Sequence, residues 1–298
     1  TVPKCIQISC GKDFTFCLTE NNMLYCFGNH HFMLYGGYKD ITNEPHKPRM
    51  MKNIDKITYI TGGSEFCICE TLSGAYISFG SNMRGQLGNG IFSQYSKTYI
   101  NLPPNVIDIK CGNDHTLIQT EEGRIYSFGS NYYGQLGIGE SIRSSTPIPT
   151  LIKDIPEIKR IECGYNHSLL IDINDRLWVF GRNHNCQLDI HIKYTNNFIL
   201  PNNTNNYIMP NIFDNDIESY IDIIKPKLHP TLYNVVDISS RGDYSFIKTM
   251  DNKIYGFGND LYLYFNIKPG NNGDISHIIT PDIWHSSNIK SKQKSARK

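Results

Sequence analysis

Short apolar runs punctuate the chain, their hydrophobic positions alternating with polar or small ones in the two-residue period of half-buried strands. Five runs end in a Phe-Gly pair, at Phe27-Gly28, Phe79-Gly80, Phe128-Gly129, Phe180-Gly181 and Phe257-Gly258. Steps of 52, 49, 52 and 77 residues between the pairs mark an internal repeat. In four units another glycine stands 17 residues before the second one: Gly11, Gly63, Gly112 and Gly164, with Arg241 then Gly242 in the fifth. Three positions after it come Phe14, Phe66, His115, His167 and Tyr244, each followed by Thr, Ser or Cys and an apolar residue, which predicts a strand. A short polar turn follows, such as Glu121-Glu122-Gly123 or Asp251-Asn252, and then a second strand closed by the Phe-Gly pair. Each unit therefore supplies one hairpin.

Two further extended runs complete the unit. Thr146-Pro147-Ile148-Pro149 is one type, and Val106 to Ile109 or Ile158 to Ile161 the other, giving about four strands in about 50 residues. In the second hairpin strand Tyr25, Ile77, Tyr126, Trp178 and Tyr255 share a face with the phenylalanines, while Cys26, Ser78, Ser127, Val179 and Gly256 occupy the opposite face. Such a sheet is apolar on both sides and must be sandwiched between neighbours, large residues against small. The expectation is an all-β fold, a β-propeller of four-stranded blades.

After the Phe-Gly pair, Ser81 to Gly88 and Ser130 to Gly137 both read Ser-Asn-x-x-Gly-Gln-Leu-Gly, and the fourth unit keeps Asn183, Gln187 and Leu188, with Cys186 and Asp189 replacing glycines. The combined pattern, Cys-Gly-x-x-His-(Ser/Thr)-x-x-(Leu/Ile) followed by Phe-Gly-Ser-Asn-x-x-Gly-Gln-Leu-Gly, resembles the repeat of the regulator of chromosome condensation (RCC1) family. That family usually has tryptophan where this chain has phenylalanine before the glycine. The resemblance implies a propeller, normally of seven blades, that binds proteins; it also implies guanine-nucleotide exchange on a small Ras-like GTPase, with attachment to chromatin, as an alternative. Five hairpins are visible here, so a five-bladed ring and part of a longer array both stand. The segment Ile275 to Trp284 is a candidate for a missing outer strand, closing the ring by strand exchange between the termini.

The predicted propeller occupies residues 1–287, and 288–298 form a basic tail with Lys290, Lys292, Lys294, Arg297 and Lys298. The longest step contains an Asn-rich insertion at about 190–232. It reads either as a projecting binding loop, with Asp214, Asp216, Glu218 and Tyr220 as candidate partner-binding residues, or as a low-complexity loop.

A formal net charge of +1 supplies no overall field for nucleic acid or an acidic membrane, so nucleic-acid contact is expected only weakly, through the tail. No run is long and apolar enough to span a bilayer. Nine cysteines without a Cys-x-x-Cys pair argue against a disulfide framework or zinc site, and Cys10, Cys111 and Cys163 recur at one repeat position that suits packing. Reduced thiols point to an intracellular setting, cytoplasm or nucleus. His115 and His167 fill a slot taken elsewhere by Phe or Tyr, so they are expected in the core. His30, His31, His184 and His191 lie in loops without ligand spacing. No catalytic, metal or cofactor site is expected, and the chain reads as a non-enzymatic protein-interaction scaffold. The residues singled out as structural are Gly11, Gly28, Gly63, Gly80, Gly112, Gly129, Gly164, Gly181 and Gly258.

Overall fold

The computed structural model describes residues 2–28, 47–52, 54–139, 144–190, 222–258 and 277–279. They form five four-stranded antiparallel sheets, each built from consecutive strands and arranged as the blades of a propeller. Blade one contains β1 (Cys5–Cys10), β2 (Phe14–Thr19), β3 (Leu24–Gly28) and β4 (Arg49–Met50); blade two, β5 (Ile57–Gly62), β6 (Phe66–Thr71), β7 (Tyr76–Asn82) and β8 (Ser93–Ile100). Blade three contains β9 (Val106–Cys111), β10 (His115–Thr120), β11 (Ile125–Gly129) and β12 (Thr146–Leu151). Blade four comprises β13 (Ile158–Cys163), β14 (His167–Asp172), β15 (Leu177–Gly181) and β16 (Ile223–Leu228); blade five, β17 (Val235–Arg241), β18 (Tyr244–Thr249), β19 (Ile254–Gly258) and β20 (His277–Ile279).

Two expectations change. His277–Ile279 does supply an outer strand, but it pairs with β19 in its own blade, and blade one has four strands of its own, so among the described residues the termini exchange no strand. The stretch Ile223–Leu228, placed in the insertion on sequence grounds, is the outer strand of blade four. Its proline, Pro226, is tolerated because an outer strand has one edge without ladder partners. The residues Asp214, Asp216, Glu218 and Tyr220, and the basic tail, lie outside the described residues.

The core is laid down between blades. Phe16, Leu18 and Leu24 of blade one meet Ile57, Ile60, Cys69 and Phe79 of blade two in one apolar layer. Phe66 and Ile68 meet Ile109, Ile118 and Phe128 in the next. The last layer joins blades three, four and five through Leu117, Ile161, Leu170, Phe180, Ile238 and Phe257. As the two faces of the second hairpin strand predict, small Ser78 and Ser127 are fully buried opposite the large rings. One face is different: Ile8 is 48% exposed, whereas its repeat equivalents Ile60, Ile109, Ile161 and Ile238 are at most 2% exposed. That side of blade one remains half-open.

The recurrent glycines answer two steric demands. A Cβ on Gly112 would lie 2.1 Å from the His115 ring, and Gly11, Gly63 and Gly164 make the same room for Phe14, Phe66 and His167. In blade five Arg241 has a Cβ there, and Tyr244 is accordingly only half-buried. Gly129 adopts φ +102 and a Cβ on it would stand 2.3 Å from the Asp114 carbonyl oxygen, a clash shared by Gly28, Gly80, Gly181 and Gly258. Gly129→Ala is expected to cost at least about 2 kcal/mol in urea unfolding, from strain plus backbone collision. By contrast Gly74→Ala, at φ +83 with no neighbour within 4 Å, should lose only about 1 kcal/mol.

A row of main-chain hydrogen bonds fastens successive blades near the axis: Lys12 N–H donates to Ser64 O, Ser64 to Asn113, Asn113 to Tyr165, and Tyr165 to Gly242. A second row comes from hydroxyls, with Thr116 Oγ1 donating to Gln86 O, Ser168 Oγ to Gln135 O, and Ser245 Oγ to Gln187 O.

Candidate interaction rim

The loops that follow the Phe-Gly pairs lie at the same strand ends as the loops between the first two strands of each blade, and together they form one rim. Each described loop is held from inside by its Asn and Gln. In the first, Asn82 Oδ1 accepts from Leu87 N–H at 3.1 Å and Gln86 Oε1 accepts from Arg84 N–H at 2.8 Å. Asn131 and Gln135 repeat this with Leu136 and Tyr133, and Asn183 and Gln187 with Leu188 and Asn185. All six framing side chains are at most 1% exposed. The fourth loop keeps the shape without glycine: Cys186 takes φ 57 and Asp189 φ 48 where Gly134 and Gly137 have 83 and 66.

The frame holds the two residues after each Asn through their main chain, so their side chains are set by what lies around them. The pairs are Met83-Arg84, Tyr132-Tyr133 and His184-Asn185, and Met83, Tyr132 and His184 are exposed. On blades three to five they converge. The Arg182 guanidinium stands 5.2 Å over the Tyr133 ring, and its Nη1 lies 3.7 Å from Asp243 Oδ2. Tyr132 meets Tyr133 edge-on at 5.1 Å, and Tyr133 meets the His184 ring at 6.4 Å. His184 Nε2 lies 3.4 Å from Asp222 Oδ1, which also accepts from Asn183 N–H at 3.3 Å. Burial raises the Asp222 carboxyl, opposed by the charges of His184 and Arg182. Nearer the axis, Tyr165 is 46% exposed.

The molecule contains His–Ser pairs: His115 Nε2 lies 3.1 Å from Ser168 Oγ, and His167 Nε2 2.9 Å from Ser245 Oγ. Both serine hydroxyls already donate to carbonyls, so each histidine donates its Nε2–H, and all four residues are fully buried. A nucleophile sealed between blades has no substrate to meet. Among the described residues no group of three His, Cys, Asp or Glu side chains is placed to hold a metal, and no helix is long and apolar enough to cross a membrane.

Two models of the regulator of chromosome condensation (RCC1) repeat match the chain, one over residues 73–119 and 122–171, the other over 5–32, 106–135 and 158–187. The matched ranges take in hairpin strands of blades one to four and the three framed loops just described. The chain belongs to the RCC1 repeat family. Among RCC1-repeat relatives, the Protein RCC2 homolog of Xenopus laevis is 30% identical over 178 residues, which is 59% of this chain and 30% of that protein. This chain thus spans less than a third of that relative. Human WBSCR16 superposes with a TM-score of 0.72 at 16% identity, over 96% of this chain and 69% of that one. Prp20p of Saccharomyces cerevisiae, described with its binding to Gsp1p and histones, superposes with a TM-score of 0.64 at 20% identity, over 87% of this chain and 57% of that one. At these identities the two structures establish the fold.

RCC1-repeat membership fits the way the sequence divides its labour. Asn and Gln hold each of the three described loops, with glycine at the turn positions in two of them, and the intervening pair varies from blade to blade. The convergence of Tyr133 with Arg182 and His184 is absent from any linear motif, since the residues are 49 and 51 positions apart. The x-x gap in the motif was the available signal.

Proposed function

We propose that this RCC1-repeat chain is a non-catalytic protein-interaction module that engages a protein partner through the rim carrying Tyr132, Tyr133, Tyr165, Arg182 and His184. The observation that carries the reading is the set of variable pairs held out by fully buried Asn and Gln side chains, with tyrosine and arginine in contact at their centre. Tyrosine and arginine dominate binding hot spots because they offer large contact area, hydrogen bonding and charge at low ordering cost. Free thiols throughout the described chain support a reducing, intracellular setting. The protein partners named for Prp20p lend support to a protein ligand here.

The test is affinity capture from the native cell with the intact chain, followed by a binding titration of the recovered partner. Tyr133→Ala combined with Arg182→Ala is expected to weaken that partner at least tenfold, with the melting temperature unchanged. Equal affinity of variant and wild type would remove the rim from the interface. A fluorescent-nucleotide release assay on any GTPase recovered discriminates further: unchanged release agrees with a scaffold, and accelerated release would replace it with nucleotide exchange.

A further inference from the structure

The opposite rim breaks the repeat at one seam. In blade one Leu18 faces Leu24 across the hairpin, in blade three Gln119 faces Ile125, and in blade four Ile171 faces Leu177. All six are at most 3% exposed, sealing the lower edges of these three blades; in blade five a half-buried Lys248 faces Ile254. Blade two has Glu70 facing Tyr76 at this place, and both are only half-buried. Tyr59 completes the row on the neighbouring strand, opposite Glu70. Where the other seams close, this one opens into a cavity of about 240 Å³ between blades two and three, lined by Tyr59, Glu70, Tyr76, Asp108 and Glu121 with apolar residues of β9. It continues into a shallower groove that shares Glu70 and Tyr76 and adds Tyr99.

The lining has three carboxylates, three tyrosines and no lysine or arginine. Lys110 Nζ approaches Asp108 Oδ2 at 3.7 Å but is shared with Glu162 at the same distance. The negative field is felt by the tyrosines: burial first and then Glu70 push the Tyr76 hydroxyl up to about 12, and burial with Asp108 raises that of Tyr59. Tyr59 Oη is fixed against the Ile109 carbonyl at 3.0 Å, so its ring is a preset wall. Opening a seam that is closed elsewhere leaves aromatic and apolar strand surface in contact with water, at a cost in stability. That cost is offset by a ligand whose cation lies against aromatic faces and carboxylates while its alkyl stem lies on apolar strand residues. The volume suits one long side chain and falls short of a drug-sized molecule.

We propose that the seam between blades two and three is a second interaction site, which takes a single arginine or lysine side chain from a protein partner. It lies at the far ends of the strands from the Tyr133–Arg182 rim and does not depend on that rim's function.

The test is an NMR titration of the full chain with N-acetyl-Ala-Arg-Ala-amide, its Lys analogue and its Gln analogue. Saturable shifts at Tyr59, Tyr76 and Glu121 are expected with the two cationic peptides and none with the third. Glu70→Gln with Glu121→Gln should weaken binding at least tenfold, while the charge-matched control Glu20→Gln with Glu157→Gln should not. Tyr76→Leu, which installs the residue blade one has at this place, should abolish binding while raising or preserving the melting temperature. Tyr133→Ala with Arg182→Ala should leave it intact. Shifts that never saturate, or that persist equally in the Glu70/Glu121 and Tyr76 variants, would overturn the site.

Discussion

Phe180→Ala is expected to destabilise the folded chain by about 3–5 kcal/mol, while the same change at Phe27, its repeat equivalent, costs less than half as much. Phe180 is fully buried in the layer that joins blades three, four and five. Its ring packs so closely on the preceding loop that a Cβ on Gly137 would stand 2.9 Å from it. The truncation therefore removes an aromatic ring and leaves a cavity bounded by fixed main chain, which cannot collapse to fill it. Phe27 lies on the side of blade one that also exposes Ile8, and it is only half-buried. Water already reaches it, so less transfer energy is lost. Urea unfolding of the two variants, followed by circular dichroism, measures the difference. Equal losses would mean that this side of blade one is covered in solution.

Acid is expected to unfold the chain through its buried histidines. Burial pushes His115 and His167 down to about 3, His167 also feeling His115, and burial takes His229 down to about 4. In the unfolded chain each titrates near 6.5. Between these values the unfolded state binds protons that the folded state refuses, so stability is full above about pH 6.5 and falls as the pH drops toward 3. One pKa unit corresponds to about 1.4 kcal/mol, so two such histidines account for several kcal/mol. Asp114, Glu162 and Asp222, raised chiefly by burial, work in the opposite direction at lower pH. A variant isolates the histidine part. His115→Phe with His167→Phe places in blades three and four the residue blade two has as Phe66, and Ser168 and Ser245 keep their donations to Gln135 and Gln187. Urea midpoints at pH 7.5 and 4.5 should differ much less in that variant than in the wild type. An unchanged difference would assign acid sensitivity to other groups.

The blades were legible because each repeat position has one steric meaning. Gly112 must admit a ring, Gly129 must pass a carbonyl, and Phe128 must fill the space beside a small residue, so these marks survive at fixed spacing even as other residues drift. The outer strands carry no such mark. The outer strand of blade four, Ile-Ile-Lys-Pro-Lys-Leu, has a proline and no Phe-Gly landmark, and it follows a long insertion, so alternation alone could not separate it from a loop. At the rim, the motif identified the loops but not the meeting of Tyr133 with Arg182, which depends on the angle between neighbouring blades. The cleft left a fainter trace: Tyr76 stands where the other hairpins have Leu24, Ile125, Leu177 and Ile254, a break in an apolar register that only a residue-by-residue overlay of the hairpins would reveal.

The chain of donations from Lys12 through Ser64, Asn113 and Tyr165 to Gly242 runs entirely through peptide groups. Four links of this kind are indifferent to the side chain above them, and proline alone, which lacks the hydrogen, would sever one. Evolution is therefore at liberty to rewrite what the crown displays, one position at a time, without unfastening the spokes beneath it.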